Sequence, residues 1–281
     1  MGHVMTEFYE SFESIEQDFM RKGIPVDQPG FYDHPNFIEI ERLRPEYLNN
    51  YARYVQLRPY SNEYLDRASK EIPIIANELH KELLRDGRQG ACVDMSGVLS
   101  RILEREGYWN FAVKGSLTIT YPKSSGIGKR YFWSVDEGEF VAGHAWVYAP
   151  PFYVVDITVR QQPHADGESK WLPDQVLFTN AAEEKPTVDD ILSPEVRRYL
   201  LNQGIPERHQ LETVNPTMVR FLETFKTYQA LENKTSLKYV PVAVGAPDCP
   251  LEDMVGISIE GMSAMDMYES LVTPELNKYR A

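Results

Sequence analysis

The sequence predicts an α+β protein in which a central helix carrying a cysteine packs on an antiparallel sheet, with helical extensions at both ends. Three observations carry this expectation. From Cys92 to Arg105 the apolar residues Met95, Val98, Leu99, Ile102 and Leu103 recur at helical spacing, and Gly107 supplies the stop. The period then changes: FAVKGSLTITY from 111, RYFWSV from 130, GHAWVYA from 143 and FYVVDITV from 152 are rich in β-branched and aromatic residues. Turn-forming runs, PKSSGIGK, DEGE and Pro150-Pro151, separate them. One buried helix followed by an antiparallel meander is an α+β core.

The remaining elements follow in order. Residues 6 to 22 read as an amphipathic helix, with Phe8, Phe12, Ile15 and Phe19 on one face and Gly23 at its end. An irregular stretch reaches about Arg44, and PEYLNNYARYVQL opens a helix at Pro45. The next run, from Ser61 to Gly87, reads as a helix interrupted near Pro73. Beyond Trp171, Ser193-Pro194 opens a helix that stops at Gly204, and Asn215-Pro216 opens another that ends near Asn233. A strand, LKYVPVAV, and a last helix around Met265 to Leu271 complete the chain. The expected division is an N-terminal helical extension over 1–44, a catalytic core over 45–172 and a mostly helical C-terminal extension over 173–281 packed on that core.

Composition removes several function classes. The 281 residues are 42% hydrophobic and 12% aromatic, enough to fold around a sizeable core. With 29 basic against 42 acidic residues the net charge is −13, which repels phosphate backbones, so no nucleic-acid partner is expected. No run reaches the roughly 18 apolar residues of a membrane span, and the N-terminus lacks a secretory pattern, so a cytoplasmic protein without a membrane partner is expected. Gly2 and Thr6 fit the loose myristoylation pattern, a match short enough to arise by chance. Two cysteines make neither a disulfide framework nor a zinc site, and no metal or organic cofactor is expected. His164-Ala-Asp-Gly-Glu168 reads as a solvated turn, and SSGIGKR at 124–130 as a hairpin tip flanking a cleft.

The chemistry centres on Cys92. At the first turn of a helix its sulfur lies near unpaired N–H groups and the positive end of the dipole, which favours thiolate. Free cysteines are also common packing residues, so this placement alone leaves both readings open. His144 and Asp156 lie on the two strands that flank Pro150-Pro151, and in an even register they face each other on one side of the hairpin. A strict two-residue loop would set them on opposite faces unless a bulge intervened. A thiolate, an imidazole and an orienting carboxylate are the three groups of nucleophilic acyl transfer.

The order Cys92, His144, Asp156, written in GACVDMSGVL, GHAW and VVDIT, resembles the transglutaminase-like superfamily over roughly residues 77 to 162. The resemblance implies a papain-like α+β core with Cys92 as nucleophile, His144 as general base and acid, and Asp156 as the carboxylate that fixes the imidazole. Trp146 would wall the substrate site. Gln89, three residues before the cysteine, would be a substrate-binding residue, and the backbone N–H of Cys92 one oxyanion donor. Arylamine N-acetyltransferases share a related core, but RQGA keeps only part of their pattern before the cysteine. The expected activity is hydrolysis of an amide, peptide or isopeptide bond in a peptide, protein or small amide substrate. An acyltransferase or crosslinking enzyme on the same triad, and a catalytically inactive scaffold, remain the alternatives.

Overall fold

The computed structural model describes residues 11–136, 139–141, 143–165 and 167–281. Residues 6 to 10 of the first expected helix, Phe8 among them, the Gly2 to Thr6 pattern and parts of the DEGE and HADGE turns lie outside them. Helix α1 (Phe12–Arg21) is capped by Ser11, whose side chain accepts from the Ser14 N–H. Helix α2 (Pro35–Leu43) occupies the stretch expected to be irregular. His34 caps it through its ring and Pro35 supplies the first-turn geometry, a start signal the proline content had masked. Helix α3 (Leu48–Leu57) leads to α4 (Asn62–Asp86), which runs through Pro73 without interruption. Its apolar face, Ala68, Ile72, Ile75, Ala76, Leu79 and Leu83, is buried on both sides of the proline, so tertiary packing outweighs the one lost backbone bond. Helix α5 (Cys92–Arg105) matches its periodicity, and every residue from Met95 to Leu103 is buried, as a central helix requires.

Strands β1 (Phe111–Thr120), β2 (Arg130–Phe132), β3 (Val135–Asp136), β4 (Glu139–Phe140), β5 (His144–Ala149) and β6 (Phe152–Asp156) follow. Then come β7 (Val176–Phe178), β8 (Ala182–Glu184), helices α6 (Val188–Ile191), α7 (Pro194–Asn202), α8 (Glu207–Val214) and α9 (Pro216–Thr224), β9 (Thr227–Glu232) and β10 (Thr235–Gly245). Helix α10 (Ala264–Met267), a π-turn and α11 (Thr273–Arg280) end the chain. The protein is mixed α and β, with a curled antiparallel half-barrel sheet. The strand order is β7-β6-β5-β1-β10-β9-β8, with β2 paired to β1 beyond β5, and β3 and β4 form a separate pair.

This order is not the expected meander. β1 lies between β5 and β10, so residues 173–281 supply four strands and one of them enters the middle of the sheet. The helix expected to run to Asn233 ends at Thr224, and Thr227–Glu232 pairs with β10 instead. Its turn is a two-residue hairpin, Asn233-Lys234, with φ of 49° and 66°, the left-handed pair that matches strand twist. Side chains alternate across the sheet. Val147, Ala149 and Val155 pack with α4 and α5, whereas Trp146, Val154, Phe178 and Tyr239 join the aromatic cluster built on α1 and α3. Among the described residues no helix is long and apolar enough to cross a membrane.

Gly115 holds the sheet together where β1 meets both neighbours. It lies opposite His144 on β5 and opposite Pro241 on β10, at a register shift in β1. A Cβ there would sit 2.1 Å from the Val240 carbonyl oxygen and 2.8 Å from the Trp146 ring. Gly115→Ala is therefore expected to destabilise the protein by about 1–3 kcal/mol, because the obstructing atom is backbone and cannot rotate aside. Urea unfolding measures this; an unchanged midpoint would refute the close approach.

Candidate active site

His144 opens β5 and Asp156 closes β6, and the register of this hairpin decides whether they meet. Ala149 pairs with Phe152, but a bulge then shifts the ladder so that Val147 faces Val155. That irregularity restores an even register and puts His144 and Asp156 on one face. His144 Nε2 and Asp156 Oδ2 are 2.6 Å apart, with both side chains inaccessible to solvent. The remaining acceptor positions of the carboxylate are filled. The Tyr239 hydroxyl donates to Oδ2 at 2.8 Å, and the Thr158 N–H and hydroxyl donate to Oδ1 at 2.8 and 2.9 Å. Tyr239 comes from β10, which sequence reading placed outside the core; it reaches the carboxylate because β10 pairs with β1.

The charges follow from this geometry. Burial disfavours the Asp156 carboxylate, but the His144 charge and the four hydrogen bonds overcome it and hold its pKa below the ordinary value. Burial likewise disfavours the His144 imidazolium, yet Asp156 beside one nitrogen and the Cys92 sulfur on the ring push its pKa up to about 10. Nε2 faces Asp156, and the buried Nδ1 has no hydrogen-bond partner of regular geometry. Cys92 is the other polar group that acts on this ring.

A pH dependence follows. His144 has a folded pKa of about 10 against an ordinary 6.5. Its contribution to stability is complete below about 6.5 and is lost as pH rises towards 10. Asp156, shifted down from 3.8, acts in the opposite direction, and its contribution is lost as pH falls below that value. With Cys92 ionised, as proposed below, the proton kept by His144 is offset by the one an unfolded thiol keeps up to about pH 8.5, so denaturant unfolding is expected to show stability falling between about pH 9 and 10, by at most about 1.4 kcal/mol per pH unit. A His144→Gln variant with the same slope would remove this cause.

Cys92 is the first residue of α5, and the preceding Ala91 provides no side-chain cap. The first-turn N–H groups thus have no side-chain cap, and Cys92 stands at the positive end of a 14-residue helix. The turn that presents Cys92 is fastened on two sides. The Gly90 N–H donates to the Gln161 carbonyl at 2.9 Å, and Arg88 pairs with Asp94 while also bonding the Ile257 carbonyl. Cys92 retains 5% exposure. A cleft of about 220 Å³ is lined by Val93 and Ala145, the chain neighbours of Cys92 and His144, but by neither of those two residues themselves. Its far wall, residues 245–257, is pinned by Arg101, whose guanidinium bonds the Pro247 and Cys249 carbonyls at 3.1 and 3.0 Å.

The other sequence candidates fall as follows. The Trp146 ring is 3% exposed and packs edge-on against Tyr239 at 5.1 Å, two residues along the strand from His144. Gln89 is exposed in the turn before α5. His164 differs from expectation. Its side chain is only 3% exposed, because its Nε2 reaches the Val159 carbonyl at 2.7 Å and its ring packs edge-on against Phe132. Among the described residues no group of three or more His, Cys, Asp or Glu side chains is arranged to hold a metal ion. No protein-family model, no curated protein and no solved structure matches the chain.

Proposed function

We propose that this chain is a cysteine-dependent acyl-transfer enzyme on a transglutaminase-like core, cleaving an amide, peptide or isopeptide bond. The observation that carries the reading is the buried His144–Asp156 pair at 2.6 Å, with the second ring nitrogen unpartnered and Cys92 acting on the ring from an uncapped helix start. In this reading the Cys92 thiolate attacks the carbonyl carbon while the carbonyl electrons move to oxygen, where first-turn N–H groups of α5 stabilise the negative charge. The His144 imidazolium donates its proton to the leaving nitrogen as the C–N bond breaks. The neutral imidazole then takes a proton from water, whose oxygen attacks the acyl-enzyme and releases the thiolate and the acid. Asp156 stays ionised and fixes the ring throughout.

The near-complete burial of the three groups, 5%, 0% and 1% exposed, favours an inactive scaffold as the second reading. Incubation with 4-nitrophenyl acetate separates the two. The enzymatic reading expects one acetyl group on Cys92 and a burst of nitrophenolate, followed by slow turnover in water. Acetylation confined to Cys249 or surface lysines would overturn it. Acyl-CoA in place of the ester asks whether a thioester serves as donor.

A further inference from the structure

Beyond His144 the concave face of the sheet continues in line. β5 and β2 pair in turn with the same edge of β1, so His144 lies opposite Gly115, Phe132 opposite Leu117 and Arg130 opposite Ile119, with Tyr121 just past the end of β1. At about 3.3 Å per residue, Arg130 lies roughly 13 Å along the sheet from His144. His164 packs on Phe132 with ring centroids 5.7 Å apart, and the Arg130 guanidinium lies 5.6 Å from the same ring. Phe132 is itself 6.2 Å from His144. The Gly90–Gln161 backbone bond fastens the turn that presents Cys92 to the segment carrying His164.

Four buried polar atoms here have no hydrogen-bond partner among the described residues: Tyr121 Oη, Arg130 Nε, Gln161 Oε1 and His164 Nδ1. The whole Tyr121 residue is 5% exposed, and the His164 side chain 3%. Their chemistry is mixed. Arg130 Nε–H and the Tyr121 hydroxyl are donors. His164 Nε2 must donate to the Val159 carbonyl, and burial keeps the ring neutral, so Nδ1, which lies 3.8 Å from Glu168 Oε2, is an acceptor, as is Gln161 Oε1. Arg130 and Glu168 act on Tyr121 with opposite signs, so the site carries a charge of each kind. A carboxylate would satisfy only the donors and face Glu168. An ammonium would satisfy only the acceptors and face Arg130. A neutral amide satisfies both, its carbonyl accepting and its N–H donating.

Building on the acyl-transfer reading, we infer that Tyr121, Arg130 and His164 form a subsite for an amide group of the substrate, one or two peptide units from the carbonyl attacked by Cys92.

The test compares two 4-nitrophenyl esters of equal chain length, N-acetylglycylglycine and octanoate, each rate being divided by that of the same ester with N-acetylcysteine. The amide ester is expected to acylate Cys92 at least about 10-fold faster after this correction. Tyr121→Phe and Arg130→Met should each lower the amide ester rate by roughly 5–10-fold, the loss of one buried hydrogen bond, and leave the octanoate rate unchanged. Equal corrected rates for the two esters, or variants that slow both by the same factor, would overturn the subsite while leaving the acyl-transfer reading standing. Failure of both esters to label Cys92 would remove that reading, and the subsite with it.

Discussion

Asp156→Asn is expected to cost both the fold and the activity. All four hydrogen bonds at this side chain arrive from donors: His144 Nε2 and the Tyr239 hydroxyl at Oδ2, and the Thr158 N–H and hydroxyl at Oδ1. An asparagine has one oxygen and one NH₂ group: with the oxygen accepting from Thr158, the NH₂ group faces the Tyr239 hydroxyl and His144 Nε2, which must both turn from donor to acceptor. The side chain is wholly buried, so water cannot replace the lost charge. Removing the charge opposite His144 and forcing both partners to accept should destabilise the protein by about 2–5 kcal/mol. The imidazole loses the group that holds its proton and sets its tautomer, so acylation of Cys92 should fall on the order of 10⁴-fold. Denaturant unfolding and acylation kinetics check the two effects. A variant of native stability and rate would contradict the role given to Asp156.

Cys92→Ala is expected to separate activity from stability. The sulfur occupies a small buried position at a helix start, and its removal leaves a minor cavity costing about 1 kcal/mol. Alanine also suits a helix better than cysteine. Acyl transfer depends on a nucleophile that alanine lacks, so turnover should fall at least about 10³-fold, to background. Ester turnover that survives in Cys92→Ala would show that the chemistry lies elsewhere. A large loss of stability without loss of turnover would mark the cysteine as packing.

The parts of this molecule that were legible in the sequence are those whose signals are local. Helix α5 is bounded by its own periodicity and Gly107, and the strands around His144 and Asp156 by their aromatic and β-branched runs and by Pro150-Pro151. The bulge was legible only as a condition, because backbone register depends on how the hairpin packs against β1 and α5. Tyr239 was not legible. It is 83 residues from Asp156, on a strand whose insertion beside β1 is a long-range pairing. The same holds for β9, whose Asn233-Lys234 hairpin signal was read as a helix end. Pro73 and Pro35 misled in opposite directions. Each was weighed by its local cost, whereas burial of the surrounding face settled the first and capping by His34 the second. His164 was taken for solvated surface because its neighbours are polar, and it turns inward to the Val159 carbonyl and the Phe132 ring.

The acyl-transfer proposal requires Cys92 to react as a thiolate beside the His144 imidazolium. It is tested most directly by the pH dependence of Cys92 alkylation with iodoacetamide in a Cys249→Ser background, followed by mass at the Cys92 peptide. The account predicts a rate nearly constant from about pH 6 to 9, and a His144→Gln variant whose rate instead climbs with pH as an ordinary thiol's does. The burial of Cys92 lowers the rate at every pH and leaves this shape unchanged. A wild-type rate that climbs tenfold per pH unit towards the ordinary thiol value near 8.5, with the same profile in His144→Gln, would contradict it.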